Sequence, residues 1–266
     1  MALDTGLRGK RALVTGGASG IGRTIALALG AEGVDVAIAD RASPACVTSE
    51  IARLGVRTCA VVADVSVEDD VVRMVGEAAD AFGGLDLYVN NPAGVWHEPL
   101  TRVTRAALEK TFATKVAASI YACREKAKVF IAGGGGSILA ICSTATVSAQ
   151  PRETAYRASK AALKAHIEVT AVELAPFDIR VNLLMPGATD TPFVADAPAK
   201  QRGQALSAVP LRREARSEEM APAALFLLSD KLASYITGSE LIVDGGLRLR
   251  PIFGGSDDDL RALNLG

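Results

Sequence analysis

Tyr156 and Lys160 stand four apart in residues 154–175, a stretch whose pattern predicts one helix. At that spacing both side chains leave the same helix face. A phenol placed there can give up or take a proton beside an ammonium that lowers its pKa, because a nearby cation favours the phenolate. Ser143 lies thirteen residues upstream of Tyr156, at the end of an apolar run, and a glycine-rich turn, Thr15-Gly-Gly-Ala-Ser-Gly-Ile-Gly22, opens the chain. Taken singly, these are a core tyrosine, a snorkelling lysine, a strand-end serine and a turn. Taken together they point to hydride transfer rather than hydrolysis.

Residues so far apart need a scaffold that gathers them. Short apolar runs occur at 12–15, 34–39, 58–63, 85–90, 137–141, 179–185 and 241–243. Between them, Ala-rich helical patterns occupy 21–31, 43–54, 67–82, 105–131, 154–175 and 217–228. Runs that are apolar throughout, rather than alternating, indicate strands buried on both faces. Strand–helix alternation implies right-handed βαβ units. The expected fold is therefore α/β: a single-domain, Rossmann-type doubly wound parallel sheet of about seven strands with helices on both faces. No linker or shift in composition divides residues 1–266. Two segments break the rhythm: 189–216, rich in Pro and Ala and read as a substrate loop, and the tail 247–266, read as an exposed terminus or a clamp on a neighbouring subunit.

Composition narrows the classes of function. Apolar residues make up 49% of the 266, enough for a large core. A net charge of −1 with no basic stripe argues against a nucleic-acid partner. No apolar run reaches membrane-spanning length, and the first residues lack a secretory apolar core. The four cysteines lie far apart and are expected to be reduced packing residues of a cytoplasmic protein. With two histidines and no ligand-like spacing, no metal site is expected.

The glycine turn is placed between a strand and a helix, where its backbone can approach a pyrophosphate at the positive end of the helix. Its spacing is Gly16-x-x-x-Gly20-x-Gly22. Asp40 ends the second strand, where an acid would accept hydrogen bonds from an adenosine ribose and repel a 2′-phosphate. Arg41 beside it would favour NADP, but with Asp40 first in line NAD is the preferred cofactor and NADP the alternative. Asp64, after the third strand, would bond an adenine amine or cap the helix starting near Val67.

Thr15–Gly22, Asp64-Val65, Asn90-Asn91, Ser143, Tyr156/Lys160, Pro186-Gly187 with Thr191, and Thr237-Gly238…Asp244-Gly245-Gly246 occur in the order and spacing of the short-chain dehydrogenase/reductase family. The chain resembles that family over residues 8–247. The resemblance implies that Tyr156 exchanges a proton with the substrate oxygen, that Lys160 holds the nicotinamide ribose and depresses the Tyr156 pKa, and that Ser143 orients the substrate. It implies cofactor contacts from Gly16, Ser19, Gly20, Ile21, Gly22, Asp40, Arg41, Asp64, Val65, Asn91, Gly94, Tyr156, Lys160, Pro186, Thr189 and Thr191. It also implies a homotetramer or homodimer, with helices 105–131 and 154–175 packed across a two-fold axis.

Two departures stand out. The family usually has Asn-Asn-Ala-Gly after the fourth strand, and here Pro92 is inserted in Asn90-Asn-Pro-Ala-Gly94, redirecting the loop toward Trp96 and His97. In the following helix, Lys115 falls where the family commonly places an asparagine. A second ammonium near Lys160 would disfavour charging both; Lys115 turns outward, is neutral, or replaces a water relay.

Trp96, His97, Ala145, Gln150, Arg152, Glu153, Ala188 and the 189–216 loop are candidate pocket residues, and their polarity suggests a hydroxylated or carboxylated small molecule. The expected activity is hydride transfer between a nicotinamide cofactor and a secondary alcohol or ketone. An NADPH-dependent ketone or 3-oxoacyl reductase is the second reading, and a catalytically impaired nucleotide-binding regulator or scaffold the third.

Overall fold

Each apolar run becomes a strand and each Ala-rich stretch a helix. The computed structural model describes residues 4–91, 98–192 and 209–249. In chain order the elements are β1 (Arg11–Thr15), α1 (Gly20–Ala31), β2 (Asp35–Asp40), α2 (Ala45–Ala52), β3 (Thr58–Val62), α3 (Glu68–Phe82), β4 (Leu87–Asn90), α4 (Arg105–Phe112), α5 (Ala118–Gly133), β5 (Gly136–Ile141), α6 (Thr154–Leu174), β6 (Ile179–Pro186), β7 (Thr189–Asp190), β8 (Ala215–Arg216), α7 (Ala221–Leu228) and β9 (Glu240–Val243).

Seven strands form one parallel sheet in the order β3-β2-β1-β4-β5-β6-β9. Alternation along a strand sends successive side chains to opposite faces. Leu13, Ala37 and Ala39 therefore join a core with α3, α5 and α6, including Met74, Phe82, Phe130, Leu163 and Ile167. Ala12, Val14, Val36 and Ile38 join a second core with α1, α2 and α7, including Ile25, Leu29, Ile51, Leu227 and Leu228. The central strands are buried on both faces, whereas the edge strands β3 and β9 are only partly covered.

The strand order reverses between β1 and β4. In an open parallel sheet, ligands bind outside the carboxyl ends of the strands at such a switch point. Gly16, Asp40, Asp64, Asn91, Ser143 and Gly187 all follow or end strands at that edge, so the topology alone gathers most of the expected site.

Two local features differ from the sequence expectation. Residues 105–131 are helical throughout but not one regular helix: between α4 and α5 the chain makes a π-helical turn over Ala113–Ala117, with Lys115 at its centre. No Gly or Pro marks it in the sequence; such turns occur frequently at functional sites. Secondly, the 189–216 segment is pinched at its ends, because β7 and β8 pair as a two-residue parallel ladder, Thr189 with Ala215 and Asp190 with Arg216. Residues 193–208 lie outside the described residues, as does the tail beyond Leu249. Among the described residues no helix is long and apolar enough to cross a membrane, and no cluster of three or more His, Cys, Asp or Glu side chains could hold a metal.

Candidate active site

The glycine turn is shaped by the residue it meets. The Asn91 side chain donates to the Gly16 carbonyl at 3.1 Å, and the Asn91 N–H donates to Thr15 Oγ1 at 3.1 Å. A Cβ on Gly22 would lie 2.2 Å from the Gly16 carbonyl oxygen and 2.5 Å from Asn91 Nδ2, so only glycine fits. Gly16 and Gly20 adopt φ of +63° and +52°, a region that favours glycine. Ser19 is the N-cap of α1 yet accepts no capping hydrogen bond, and the first turn holds no acidic residue. Unclaimed helix N–H groups without a local carboxylate are the donor set a pyrophosphate needs. The residues present therefore fit a dinucleotide.

Asp40 closes the same turn from the side: Oδ2 accepts from the Ala18 N–H at 3.0 Å and Oδ1 from the Ala42 N–H at 3.0 Å. Arg41 is exposed beside it. Asp64 does not cap α3, whose N-cap is Val67. Its Oδ1 instead accepts from the Ser66 hydroxyl at 2.6 Å and from the Ser66 N–H at 2.9 Å. Those bonds, with the charge of Arg41 adding a smaller share, hold the Asp64 carboxyl below its ordinary pKa. Val65 is half-buried against the core.

On the other side of the switch point, Ser143 follows β5 by two residues, and its Oγ accepts from the Ala145 N–H at 3.1 Å. The Ser143 hydroxyl also lies near enough to the phenol of Tyr156 to favour its charged form. Lys160, one turn along α6, is 5% exposed, and its Nζ donates to the Ile141 carbonyl at 2.8 Å. Its Nζ sits 6.0 Å from the Tyr156 ring centre. The lowered phenol pKa expected from the pairing is absent from the protein by itself: burial pushes Tyr156 up to about 12, with the Ser143 hydroxyl acting in the opposite direction. Burial also lowers the pKa of Lys160.

Lys115 does not turn outward. The π-turn directs it inward, leaving it 2% exposed with its Nζ 5.8 Å from the Tyr156 ring centre. Burial first, and then the charge of Lys160, bring its pKa down to about 8.

Pro186 ends β6 and its carbonyl accepts from Thr144 Oγ1 at 3.3 Å; Thr189 is buried, its hydroxyl donating to the Gly187 carbonyl at 3.1 Å. Thr191 reaches back to the glycine turn, where a Cβ on Gly20 would meet its Cγ2 at 3.4 Å. Of the candidate pocket residues, Ala145 is buried, Ala188 half-buried, and Gln150 and Arg152 exposed. Arg152 has φ +71° and its carbonyl accepts from the Glu98 N–H at 3.0 Å. Pro92, Gly94, Trp96 and His97 lie outside the described residues.

Sequence reasoning passed over Arg157. It ties Glu153 (3.1 Å), the Ala145 carbonyl and Ser148 (3.2 Å) into the loop after Ser143. The i,i+4 spacing of Glu153 and Arg157 is the signal that could have found it.

This arrangement has relatives. A family model described as Enoyl-(Acyl carrier protein) reductase matches residues 16–248. The chain is 34% identical over 252 residues to a sorbitol dehydrogenase of Cereibacter sphaeroides, covering 90% of this chain and 98% of that one. It is 33% identical over 248 residues to an L-rhamnose 1-dehydrogenase (NAD(P)(+)) of Sphingomonas sp. strain SKA58, covering 91% and 97%. The crystal structure of a short-chain type dehydrogenase/reductase from Mycobacterium marinum superposes with a TM-score of 0.86 at 34% identity, covering 91% of this chain and 96% of that one. The chain belongs to the short-chain dehydrogenase/reductase family.

Proposed function

We propose that the protein is a nicotinamide-dependent oxidoreductase that interconverts a secondary alcohol, preferably of a polyhydroxylated small molecule, and its ketone, with NAD as the preferred cofactor. The observation that carries this reading is the gathering of Ser143, Tyr156 and Lys160 at the carboxyl edge of the sheet, with the Ser143 hydroxyl near the Tyr156 phenol and Lys160 one turn further on α6. The sorbitol and rhamnose dehydrogenases among its relatives support the substrate class.

Gly16, Ser19, Gly20, Ile21 and Gly22 would hold the pyrophosphate, Asp40 and Arg41 the adenosine ribose, and Asp64 and Val65 the adenine. Asn91, Gly94, Tyr156, Lys160, Pro186, Thr189 and Thr191 would hold the nicotinamide half. When bound, the nicotinamide ring accepts or supplies the hydride. In the oxidative direction Tyr156 Oη takes the proton of the substrate hydroxyl, and in the reductive direction it returns that proton to the carbonyl oxygen. Ser143 Oγ holds the same substrate oxygen and fixes its distance to Tyr156. Lys160 keeps a cation beside the phenol, so that a cavity which by burial favours the neutral form can still reach the phenolate.

The exposed Arg41 supports a second reading, an NADPH-dependent ketone reductase, in which its guanidinium meets a 2′-phosphate. We assign the protein to the cytoplasm and to a homotetramer or homodimer, with segment 189–216 as the substrate loop. The exposed Val169 and Val172 on α6 and Ile120 on α5 support a covered face there.

The test follows reduced-cofactor formation from NAD+ or NADP+ with a panel of polyols and cyclic diols. Tyr156→Phe should lower turnover at least about 100-fold, the usual weight of a positioned acid–base, in protein that still binds the cofactor. Turnover that survives in Tyr156→Phe refutes the assignment, and preference for NADP+ selects the second reading.

A further inference from the structure

Two lysines are buried behind one tyrosine, and among the described residues no carboxylate accompanies them. Lys115 arrives from the π-turn between α4 and α5, Lys160 from α6, and both amines lie within about 6 Å of the Tyr156 ring centre. The groups facing them are few. From α6 these are Tyr156 and, for Lys115, Lys160; from the π-turn it is Lys115 that faces Lys160; just beyond β5 it is the thiol of Cys142, which faces Lys160. Among the described residues no Asp or Glu bonds to either amine or acts on its charge.

The two amines are not equivalent. Lys160 Nζ has the Ile141 carbonyl as acceptor at 2.8 Å, which stabilises its ammonium form. Lys115 Nζ has no hydrogen-bond partner among the described residues; it faces the Tyr156 ring and feels the charge of Lys160. Like charges in one low-dielectric site disfavour each other, so the amine without an acceptor gives up its proton first.

We propose that Lys115 is a positioning residue whose proton sets the charge behind Tyr156: charged, it forms with Lys160 a pair of cations that favours the phenolate; uncharged, it leaves Lys160 as the single cation. This rests on the role of Tyr156 given above. The geometry acts over a pH range that matters, since Lys115 titrates at about 8 while an ordinary lysine titrates near 10.4. No bond is made or broken beyond the Lys115 N–H, and its proton exchanges with solvent. The device needs the π-turn, which places the side chain inward at this position.

The test has two arms. Carbon-13 NMR of the lysine Cε resonances in cofactor-free protein follows the amine directly, with Lys115 identified by its absence from Lys115→Met. The expected midpoint is about 8, rising by about one pH unit in Lys160→Met, where the like charge is gone. The second arm is the pH profile of kcat/KM for alcohol oxidation. The wild type should show a limb centred near the NMR midpoint; Lys115→Met should lack it, and Lys115→Arg, permanently charged, should move it to the alkaline end of the accessible range. An NMR midpoint at about 10 or above, one that Lys160→Met leaves in place, or a limb that persists in Lys115→Met would overturn the proposal. If the wild type oxidises no alcohol, the assigned reaction fails, and the NMR midpoints still decide whether the two lysines share a charge.

Discussion

Replacing Lys126 with methionine should make the protein more stable. Lys126 projects from α5 into the core, is 0% exposed, and its Nζ has no hydrogen-bond partner among the described residues. Its nearest polarisable neighbour is the Tyr88 ring, 5.1 Å from Nζ to the ring centre. A desolvated cation–π contact contributes about 2 kcal/mol, whereas burying an ammonium costs several kcal/mol even after relaxation. Burial wins, and the Lys126 pKa falls well below 10.5. Above that lowered pKa the native side chain is an uncharged amine without a partner, which costs about 1–3 kcal/mol, and below it a buried ammonium, which costs more. Methionine keeps the length and the packing and removes both penalties. The expected gain at neutral pH is at least about 1–3 kcal/mol, seen as a rise in Tm of about 2–4 °C for each kcal/mol. The sign of the pH dependence follows from linkage. The folded pKa is lowered, so at pH values between it and the unfolded value near 10.4 the unfolded chain binds more protons, and wild-type stability rises with pH across that window. The advantage of Lys126→Met should accordingly shrink between pH 7 and pH 10. Paired thermal or urea melts of the two proteins, differenced at each pH, cancel all other titrations. A pH-independent difference, or a mutant less stable by more than about 1 kcal/mol, would refute the reasoning by showing that the amine is charged and satisfied.

Further outcomes test other parts of the structure. Gly22→Ala places a Cβ 2.2 Å from the Gly16 carbonyl oxygen; it should cost about 1–3 kcal/mol of stability and weaken dinucleotide binding by about tenfold or more, read by calorimetric titration. Asp40→Ser removes a carboxylate from the place assigned to the ribose. Because facing like charges cost several kcal/mol, the NADP+/NAD+ preference should rise by about 10–100-fold, and an unchanged ratio would separate Asp40 from cofactor selection. Arg180 donates to the Leu227 and Leu228 carbonyls at 2.8 and 3.1 Å from a buried position on β6. Arg180→Met orphans the Leu228 carbonyl, leaves Leu227 only the Ser137 hydroxyl at 3.5 Å, and should lose at least about 2 kcal/mol in chemical denaturation, more than a surface substitution would.

What the chain determined by itself is mostly periodic or local. Strands apolar on both faces, as in residues 36–39 of β2, have one stable use, the inside of a parallel sheet between helix layers. The glycine turn, Tyr156 and Lys160 were legible for the same reason: a strand–turn–helix junction and an i,i+4 pair are geometries that a few consecutive residues impose. The sheet order then delivered Asp40, Asn91 and Ser143 to one edge. Arg157, tied to its i,i+4 partner, was legible in principle and overlooked.

Only the tertiary structure decided the rest, because it turned on which side chains lose water together. That Lys115 points inward depends on a π-turn with no Gly or Pro to mark it, and on α6 packing against that turn. Lys126, two residues beyond the solvent-exposed Arg124, shows nothing in its sequence neighbours that would place it in the core. Tyr156 illustrates the same limit: pair spacing argued for a lowered pKa, but burial, a property of the whole fold, drives the phenol up to about 12. Spacing along a chain fixes which groups can meet. The dielectric in which they meet is set by residues far away in sequence, and that sets their charge.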